Sequence, residues 1–583
     1  MSSKKTLKEF ISEIRIPLES GDYDSALKIL LDAIKVYPDE SSLVINIGNI
    51  YRHKGKLRTA ENYYKKSLEI KESKEAHNNL SVLYLDDNVP ELSITHSVKA
   101  IEIDADYVDA RYNAALALER IGKYEDAIIH LNFILKVNKN NEKALVILFR
   151  IYQNICDWEG MLSIENKLDD MAGNGEEHPF MNISRSDDAA ANFKIAVSYA
   201  EKNYTKFEQK TKLNVLGGGI SKNSDSEKEK IKIGYICGEF RNHPTYHLIK
   251  NLFKSHNSQK FNIFLFSFRH DENIKKELKE DVYKFFDITN ISDVGAAKII
   301  EDCKLDVLID LTVIISRNRI NILRARPAKK IISYLGFPGT SGHTFYDYIL
   351  TDRIITPKKY QSFYAEKFLY LPNCYQINDG QLKFSKIKTT RSEHHLPENA
   401  FVLSCFNQSF KLDKSTFDCW IEILKELPDS VLWLLFDNDL AQKNLSKYVK
   451  KNNIDEKRLI FAERLSREKH LERLMLADVA LDTRIYNGHT TTTDALQAGV
   501  PVVTKIGNHF ASRVSTSLLL SLGLDELCCK NLRSYKEKVI EICTSKEVKS
   551  KILDKLVVKN NFEKIHDNKL FAKNLEKTLK GIL

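Results

Sequence analysis

The sequence is poor in the features that mark secreted, membrane-spanning and zinc-binding proteins. Its nine cysteines contain no CxxC pair, and only Cys528 and Cys529 are adjacent. This pattern favours reduced thiols in the cytoplasm over a disulfide scaffold or a zinc site. No apolar run approaches the roughly 18 residues that a membrane-spanning helix needs, and the first ten residues, MSSKKTLKEF, lack the apolar segment of a signal peptide. We therefore expect a cytoplasmic protein with no membrane span.

The chain also lacks a block of charge of one sign. It has 88 lysines and arginines against 79 acidic residues, and the net charge of +9 is spread along its length. Without a dense basic segment, the sequence does not indicate nucleic-acid binding, although weak attraction to anionic ligands fits the net charge. The 583 residues, of which 43% are hydrophobic, suffice for about two to four domains.

The N-terminal part of the chain repeats with a period of 33 or 34 residues. The aligned positions are Ala26, Ala60, Ser93, Ala127 and Met161, each just after a short turn. A helix–turn–helix period of about 34 residues is typical of tetratricopeptide repeats. The aromatic residue three positions earlier is predicted to fill the gap between neighbouring repeats; it is Tyr23, Tyr124 or Trp158. Such arrays form a concave superhelix that usually binds peptide or protein, and a purely structural scaffold is the alternative.

From Ile231 onwards, apolar strand-like runs alternate with helical segments. This alternation predicts two doubly wound parallel sheets in series, and hence an α + α/β chain with a repeat superhelix followed by two Rossmann-like lobes. We assign residues 1–170 to the repeats, 171–229 to a helical bridge and linker, 230–385 to a first lobe and 386–583 to a second. Ligands of open α/β sheets bind at the carboxyl ends of strands, so we expect a ligand cleft between the lobes.

Residues 482–501, DTRIYNGHTTTTDALQAGVP, predict a strand end, a tight turn and a helix start. His489, Thr490 and Thr491 stand at that helix start, where unpaired N–H groups and about +0.5 charge attract phosphate. Asp494 follows one turn into the helix, where its carboxylate could reach a ribose hydroxyl. The alternative is an ordinary threonine N-cap on a core helix.

Several long motifs resemble the protein O-GlcNAc transferase family, glycosyltransferase family 41, in its bacterial type. They include NGHTTTTDAL, GYICGEFRNHPTYHL, RPAKKIISYLGFPGTSG, DYILTD and NHFASRVSTSLLLSLGL. The resemblance covers essentially the whole chain. It implies tetratricopeptide repeats joined to a GT-B type pair of lobes that transfers N-acetylglucosamine from UDP-GlcNAc to serine or threonine hydroxyls of proteins, with inversion. It also implies that the reaction uses a UDP-sugar as co-substrate and needs no cofactor and no metal. The chain has no DxD-like aspartate pair near the donor motif.

By this resemblance, the second lobe holds the donor. Lys411 in FNQSFKLD matches the family lysine on the pyrophosphate, and His470 matches the histidine that stacks on uracil. Arg467 stands where the family commonly has a lysine near the ribose, and Arg473 is expected to help on the phosphate side. The donor-binding residues expected are Gln408, Lys411, Leu465, Arg467, His470, Arg473, His489, Thr490, Thr491 and Asp494.

The resemblance places catalysis at His243 and Lys411. His243, in RNHPTYH, matches the family's active-site histidine. Its neutral imidazole could accept the proton of the acceptor hydroxyl or orient the sugar, and the sequence leaves both open. Gly336, Pro338 and Gly339 are expected to let the backbone approach the sugar.

Two departures from the family pattern concern the sugar pocket. The loop after the strand at Asp310, Thr312 to Ser316, is β-branched and apolar where the family has a polar turn, and Tyr486 replaces a small cysteine near the N-acetyl group. UDP-glucose or GDP-fucose on the same scaffold is therefore an alternative donor. A catalytically inactive protein that binds partners through its repeats is a third hypothesis, which the retained Lys411 and His489 disfavour. The expected partners are a protein acceptor held by the repeats and UDP-GlcNAc.

Overall fold

The computed structural model describes residues 5–19, 22–204, 230–315, 317–379, 389–435, 438–557 and 565–583. The predicted linker up to residue 229 and the predicted lobe boundary at 385 lie outside these residues. The chain divides into two compact units, Met1–Ile151 and Tyr152–Leu583.

The first unit is a succession of helices, in which each of the first seven packs against the next. Ala26, Ala60, Ser93 and Ala127 are each the fourth residue of every second helix, and all four are fully buried. This arrangement confirms the repeat period. The helices are α1 (Leu7–Glu19), α2 (Tyr23–Val36), α3 (Ser41–His53), α4 (Leu57–Ile70), α5 (Lys74–Asp87), α6 (Pro90–Ile103), α7 (Val108–Arg120), α8 (Tyr124–Val137) and α9 (Glu142–Asn154).

Close packing explains why small residues recur in this unit. A Cβ atom on Gly48 would lie 2.5 Å from the ring of Tyr64, so α3 and α4 approach each other only because that position has no side chain. In the third repeat, the buried hydroxyl of Ser81 lies 2.8 Å from that of Ser93 and 2.6 Å from that of Ser97. Paired hydroxyls thus replace the apolar contact, because a buried polar group needs a partner.

The second unit begins with helices that precede its sheets. They are α10 (Trp158–Asp170), α11 (Pro179–Arg185) and α12 (Ala189–Tyr204). Trp158 was predicted to fill a gap between repeats, and this prediction is wrong. Its ring lies 5.3 Å from that of Phe417 and 5.0 Å from that of Tyr448, and its indole N–H donates to the carbonyl of Leu412 at 3.3 Å. The last aromatic position of the repeat pattern therefore belongs to the core of the second lobe.

The first lobe contains a seven-stranded, fully parallel sheet in the order β3-β2-β1-β4-β5-β6-β7. The strand order reverses between β1 and β4. Strand β1 pairs in parallel with β2 on one side and with β4 on the other. The strands are β1 (Ile231–Cys237), β2 (Phe261–Ser267), β3 (Lys284–Asp287), β4 (Val307–Asp310), β5 (Lys330–Ser333), β6 (Tyr348–Asp352) and β7 (Lys367–Leu371), with helices α13 (Pro244–Ile249), α14 (Glu272–Asp281), α15 (Asp293–Asp302) and α16 (Ile320–Arg324).

The second lobe has six described parallel strands in the order β10-β9-β8-β11-β12-β13, which reverses between β8 and β11. No described helix of the chain is both long and apolar enough to cross a membrane. The strands are β8 (Phe401–Cys405), β9 (Ser430–Leu434), β10 (Leu459–Phe461), β11 (Val479–Leu481), β12 (Val502–Lys505) and β13 (Cys528–Cys529). The helices are α17 (Lys414–Glu426), α18 (Asp439–Lys451), α19 (Arg467–Leu474), α20 (Thr490–Gln497), α21 (Val514–Ser521), α22 (Leu532–Thr544), α23 (Lys546–Val557) and α24 (Asn568–Lys580).

Two segments fasten the lobes together. The last helix, α24, returns to the first lobe, where Glu576 accepts a hydrogen bond from the backbone N–H of Asn257 at 2.8 Å and pairs with His256 at 3.1 Å. Between α11 and α12, Asp187 accepts from the Ser512 hydroxyl of the second lobe at 2.7 Å and from the backbone N–H of Asn508 at 2.8 Å. These contacts tie α24 to the first lobe and the α11–α12 connection to the second.

We predict that Trp158→Ala destabilises the second unit by about 3–5 kcal/mol, the usual cost of removing a buried large aromatic side chain. Trp158→Phe keeps a ring against Phe417 and loses the indole hydrogen bond, so it should cost closer to about 1 kcal/mol. Denaturant unfolding followed by circular dichroism measures both. Equal and small losses in the two variants would contradict the packing role.

Candidate active site

The second lobe has a small cavity where its strand order reverses. Its lining includes Phe406, Asn407, Leu474, Asp482, Thr491 and Ala495. These residues follow the carboxyl ends of β8 and β11 or lie on α19 and α20. The cavity is therefore at the position where open α/β sheets bind ligands.

Asp482 organises the turn that follows β11. It is 3% exposed, and it accepts hydrogen bonds from the backbone N–H of Gly488 at 2.7 Å and from the Thr504 hydroxyl at 2.6 Å. The side-chain amide of Asn407 donates to the Thr483 hydroxyl of the same turn at 3.0 Å. Sequence reasoning missed Asp482 and Asn407, although an aspartate directly after a buried strand was a usable signal.

Lys411, Tyr486 and His489 meet beside this turn. The Lys411 ammonium donates to the carbonyl of Asn487 at 2.9 Å and lies 4.1 Å from the centre of the Tyr486 ring. The His489 ring is 5.0 Å from that same ring. Burial lowers the pKa of Lys411 to about 8 and lowers that of His489 well below its usual value. A proton-carrying lysine and a neutral imidazole thus flank one aromatic ring at neutral pH.

The start of α20 is not an ordinary threonine-capped helix. Its N-cap residue is His489, whose side chain makes no capping hydrogen bond. The Thr491 hydroxyl donates instead to the Asn407 side chain at 2.5 Å, and Thr490 is the first residue of the helix. Gln376, from the segment after β7, donates to the Thr493 hydroxyl at 2.8 Å. The first lobe therefore contacts this helix start directly.

Asp494 and Arg467 form an ion pair at the edge of the cavity. The guanidinium donates to the carboxylate at 2.8 Å. Burial raises the pKa of Asp494 to about 6, and the charge of Arg467 opposes this shift. Asp494 is 5% exposed. It lies one turn into α20, as the sequence predicted.

His470 and Arg473 lie beside Phe406, which lines the same cavity. The His470 ring is 5.2 Å from that of Phe406, and its Nδ1 accepts from Arg473 Nε at 3.1 Å. Burial first, and then the charge of Arg473, lowers the pKa of His470 to about 3. Arg473 was expected to face a phosphate, but it is 1% exposed and also donates to the Glu463 carbonyl at 2.6 Å. Its position is that of a residue that orients His470.

The other donor-site candidates lie at the rim. Gln408 is exposed and begins the turn that carries Lys411, whose backbone N–H donates to the Gln408 carbonyl at 3.0 Å. Leu465 is 38% exposed and precedes α19.

His243 stands at the carboxyl edge of the first-lobe sheet, after β1. It is the N-cap of α13, and its Nδ1 accepts from the backbone N–H of Thr245 at 3.2 Å. Its Nε2 lies 4.0 Å from a carboxylate oxygen of Glu239. Burial lowers the pKa of His243. The ring is therefore neutral near pH 7, with Nδ1 occupied as an acceptor and the proton on Nε2.

The α13 helix also carries His247, whose Nε2–H donates to the Asn242 side-chain oxygen at 2.8 Å. Burial lowers the pKa of His247, and the next largest cause is the positive charge of Arg467. The charge of Arg467 in the second lobe therefore acts on His247 in the first lobe.

The glycines expected to approach a sugar approach protein instead. A Cβ on Gly336 would lie 2.2 Å from the Leu311 carbonyl, and one on Gly339 would lie 3.0 Å from the Phe337 ring. Pro338, between them, is buried. The loop packs tightly on the segment after β4, and the expectation that its backbone approaches the sugar stays a prediction.

That segment is apolar and conformationally constrained. Val313 is 1% exposed and has φ of +55°, a left-handed conformation that is strained for a β-branched residue. The Thr312 hydroxyl accepts from the backbone N–H of Gly238 at 3.0 Å, and Ile314 is buried in the same cluster as Tyr486. Ser316 lies outside the described residues. Val313 and Ile314, from the loop that departs from the family pattern, thus belong to the same apolar cluster as Tyr486. We call these three residues the apolar wall.

Among the described residues, one cluster has the composition of a metal site. His270, Glu272 and Asp287 place ligand atoms within 4.8 Å of one another. The Lys275 ammonium already pairs with Asp287 at 2.8 Å and with Glu272 at 3.1 Å. The Lys275 ammonium thus already pairs with both carboxylates of the cluster. The expectation that the reaction needs no metal stays a prediction.

Two doubly wound lobes, with a buried lysine and a helix start at the reversal point of the second, define the class of two-lobed GT-B type glycosyltransferases. The chain belongs to glycosyl transferase family 41, whose sequence profile matches residues 218–389 and 381–575. A tetratricopeptide-repeat profile matches residues 42–74. The predicted fold class and family are therefore confirmed.

Individual relatives cover different parts of the chain. It is 34% identical over 358 residues to a probable UDP-N-acetylglucosamine–peptide N-acetylglucosaminyltransferase, SEC, of Arabidopsis thaliana, covering 60% of this chain and 37% of that protein. It is 25% identical over 553 residues to the UDP-N-acetylglucosamine–peptide N-acetylglucosaminyltransferase of Caenorhabditis elegans, covering 73% and 48%. The chain thus spans less than half the length of these curated relatives.

A solved structure supports the architecture. An O-GlcNAc transferase variant of Thermobaculum terrenum superposes over 100% of both chains with a TM-score of 0.65 and 19% sequence identity. At this identity the likeness concerns the fold. It extends through the repeat unit and both lobes.

Proposed function

We propose that this protein transfers N-acetylglucosamine from UDP-GlcNAc to serine or threonine hydroxyls of proteins, with inversion. The observation that carries the proposal is the meeting of Lys411, His489 and the start of α20 at the reversal point of the second-lobe sheet. The names of the relatives supply the donor and the peptide acceptor. An inactive binding protein would have no need for a buried lysine at this position, since its burial costs free energy.

In this proposal the leaving diphosphate lies on Lys411 and the helix start. The departing UDP gains negative charge, and preorganised donors in a partly buried site stabilise it. Lys411 supplies the charge, and the first N–H groups of α20 with the Thr490 hydroxyl supply hydrogen bonds. The Thr491 hydroxyl, which donates to Asn407, joins them if it turns from Asn407 to the phosphate. No cofactor and no metal are needed for this step.

The nucleoside part is proposed to lie beside this helix. The neutral His470 ring, fixed by Arg473, offers a face for the uracil. Asp494, one turn into α20, is placed for the ribose, and Arg467 holds its carboxylate. Leu465 contributes only its backbone, which agrees with an exposed side chain.

His243 is proposed to orient the reacting groups rather than to act as the base. A general base needs a free lone pair within reach of the proton it abstracts. The Nδ1 lone pair of His243 is used by the Thr245 N–H, so a neutral ring presents an N–H at Nε2. That N–H can donate to an oxygen of the sugar or of the acceptor.

The repeat unit is proposed to bind the protein acceptor, because concave repeat arrays generally bind peptides. The reaction is proposed to occur in the cytoplasm, where thiols stay reduced. All nine cysteines lie among the described residues, and each is free.

The function is tested by incubating the purified full chain with labelled UDP-GlcNAc, UDP-glucose or GDP-fucose and a serine-containing peptide library. We expect label on peptide serine or threonine from UDP-GlcNAc, with and without EDTA. Label from UDP-glucose or GDP-fucose, and not from UDP-GlcNAc, would assign a different donor. The apolar wall that includes Tyr486 would then be the first feature to examine as the cause. Tight UDP binding without transfer from any donor would contradict the enzymatic proposal.

Lys411 predicts a distinctive pH dependence of UDP binding. Its lowered pKa of about 8 means that the ammonium is charged below pH 8 and loses its proton as pH rises above it. We expect the UDP affinity to fall by up to about tenfold per pH unit above pH 8, since only the charged form holds the diphosphate. Lys411→Arg keeps its charge at these pH values and should bind UDP with a flat profile. Calorimetry between pH 6.5 and 9.5 measures both, and a flat profile in the parent protein would contradict the assignment.

His243 is tested by two amide substitutions with different geometry. His243→Gln places an N–H donor near the position of Nε2, whereas His243→Asn keeps the capping acceptor near Nδ1 and loses that donor. If His243 orients by donation, Gln should retain a kcat within about tenfold of the parent, and Asn should lose about 10²–10³-fold. Equal losses in the two variants, with a parent rate that rises with pH through the histidine range, would identify His243 as the base.

A further inference from the structure

Three arginines follow the carboxyl ends of three neighbouring first-lobe strands. Arg241 lies shortly after β1, Arg269 shortly after β2, and Arg317 in the segment after β4. The sheet order β2-β1-β4 places these strands side by side. The arginines therefore share the edge at which α/β sheets bind ligands.

One buried carboxylate binds two of these arginines. Glu239, whose side chain is 3% exposed, accepts from Arg241 Nε at 2.8 Å and from a terminal nitrogen of Arg269. Arg269 Nε also donates to the Gly238 carbonyl at 2.8 Å. The side chains of Arg241 and Arg269 are 44% and 27% exposed. Two guanidinium groups on one carboxylate leave a net positive charge that is held in place and open to solvent.

The third arginine adds to this surplus. Arg317 is exposed, and its backbone is held at φ of +62°. Burial, and then the positive charges of Arg241 and Arg317, lower the pKa of Arg269 against the opposite effect of Glu239. The three positive charges therefore act on one another.

Nearby acids do not cancel the surplus. Glu272 and Asp287, the carboxylates beside the end of β2, are already engaged by Lys275 at 3.1 Å and 2.8 Å. His270 also approaches both of them, at 3.4 Å and 3.3 Å. Both acids therefore already share a cationic partner, Lys275.

The surplus adjoins the residue placed at the reaction centre. Glu239 lies 4.0 Å from His243 Nε2, so the cluster and His243 share one edge. The charge proposed for the donor diphosphate is Lys411, which belongs to the other lobe. The first-lobe charges are thus left for the acceptor.

We propose that Arg241, Arg269 and Arg317 select acceptor peptides that carry aspartate or glutamate beside the modified serine or threonine. This inference rests on the proposed transferase function, because it places the acceptor at His243. A cleft with charge of one sign raises the local concentration and association rate of ligands of the opposite charge.

The test compares two fluorescent peptides that share one serine and differ only in their flanks, which carry aspartate and glutamate or the matching asparagine and glutamine. Their affinities for the UDP-bound full chain are measured by anisotropy, and transfer to each is measured with the labelled donor. We expect the acidic peptide to bind about tenfold more tightly at low salt, with the preference shrinking as ionic strength rises.

Arg317→Asn is the informative variant, because asparagine tolerates a left-handed backbone and Arg317 is exposed. It should reduce the acidic preference by about three- to fivefold, the upper range for an exposed charge pair, and Arg317→Glu should reduce it further. Arg533→Asn is the matched control, since Arg533 is an exposed arginine, 86% exposed in its side chain, on α22. UDP affinity in every variant checks that the donor site is intact.

The outcomes separate the two proposals. Equal binding of the two peptides, or an acidic preference that Arg317→Asn and Arg533→Asn change alike, would overturn the inference whether or not transfer occurs. An arginine-dependent acidic preference without any transfer would retain the inference about binding and contradict the proposed enzymatic function.

Discussion

The donor side of the cleft depends on the buried carboxylate of Asp482. Burial raises its pKa, and hydrogen bonds from the Gly488 backbone and the Thr504 hydroxyl oppose that shift. Those bonds fold the turn that presents Tyr486 and the Asn487 carbonyl to Lys411. Asp482, which is assigned no ligand contact, thus sets the positions of Tyr486 and of the carbonyl that holds Lys411, the residue proposed to bind the diphosphate.

The cleft is also held from the first lobe. Asp352 accepts from the Ser517 hydroxyl of α21 at 2.6 Å, and Arg513 donates to the Ile354 carbonyl at 2.7 Å. Together with the Gln376 contact to α20, these bonds cross between the sheets at buried or half-buried positions. Burial makes an unpaired polar group costly, so each bond resists separation of the lobes. The relative position of the two sheets is therefore fixed by several buried contacts.

In the proposed function, the sugar and the nucleotide meet surroundings of different character. Val313, Ile314 and Tyr486 belong to one buried apolar cluster. The proposed nucleotide side instead contains the ion pair of Arg467 with Asp494 and the neutral imidazole of His470. The strained backbone of Val313 persists because its surroundings are fully packed. Specificity for the sugar would thus come from shape, and attachment of the nucleotide from charge and hydrogen bonding.

Local pattern was enough for much of this architecture. The repeat period follows from the spacing of small residues such as Ala26 and Ala60, because helix packing within a repeat depends on near neighbours in the chain. The helix start at Thr490 follows from a strand, a turn and hydroxyl residues in succession. Trp158 was misplaced for the opposite reason, and the role of Arg473 stays a prediction. An aromatic or basic residue at helical spacing fits several partners equally well, and only the packed structure chooses among them.

The sequence by itself determined the repeats, the two α/β lobes and the residues that match the family's donor motifs. Only the tertiary structure brought Asn407 to within 3.0 Å of Thr483, a residue 76 positions away in the chain, and gathered arginines from the ends of β1, β2 and β4 at one edge. The order of strands in a sheet depends on crossovers and on burial of both faces. Neither is written in any short stretch of residues, and so contacts between distant strand ends are decided only when the sheet forms.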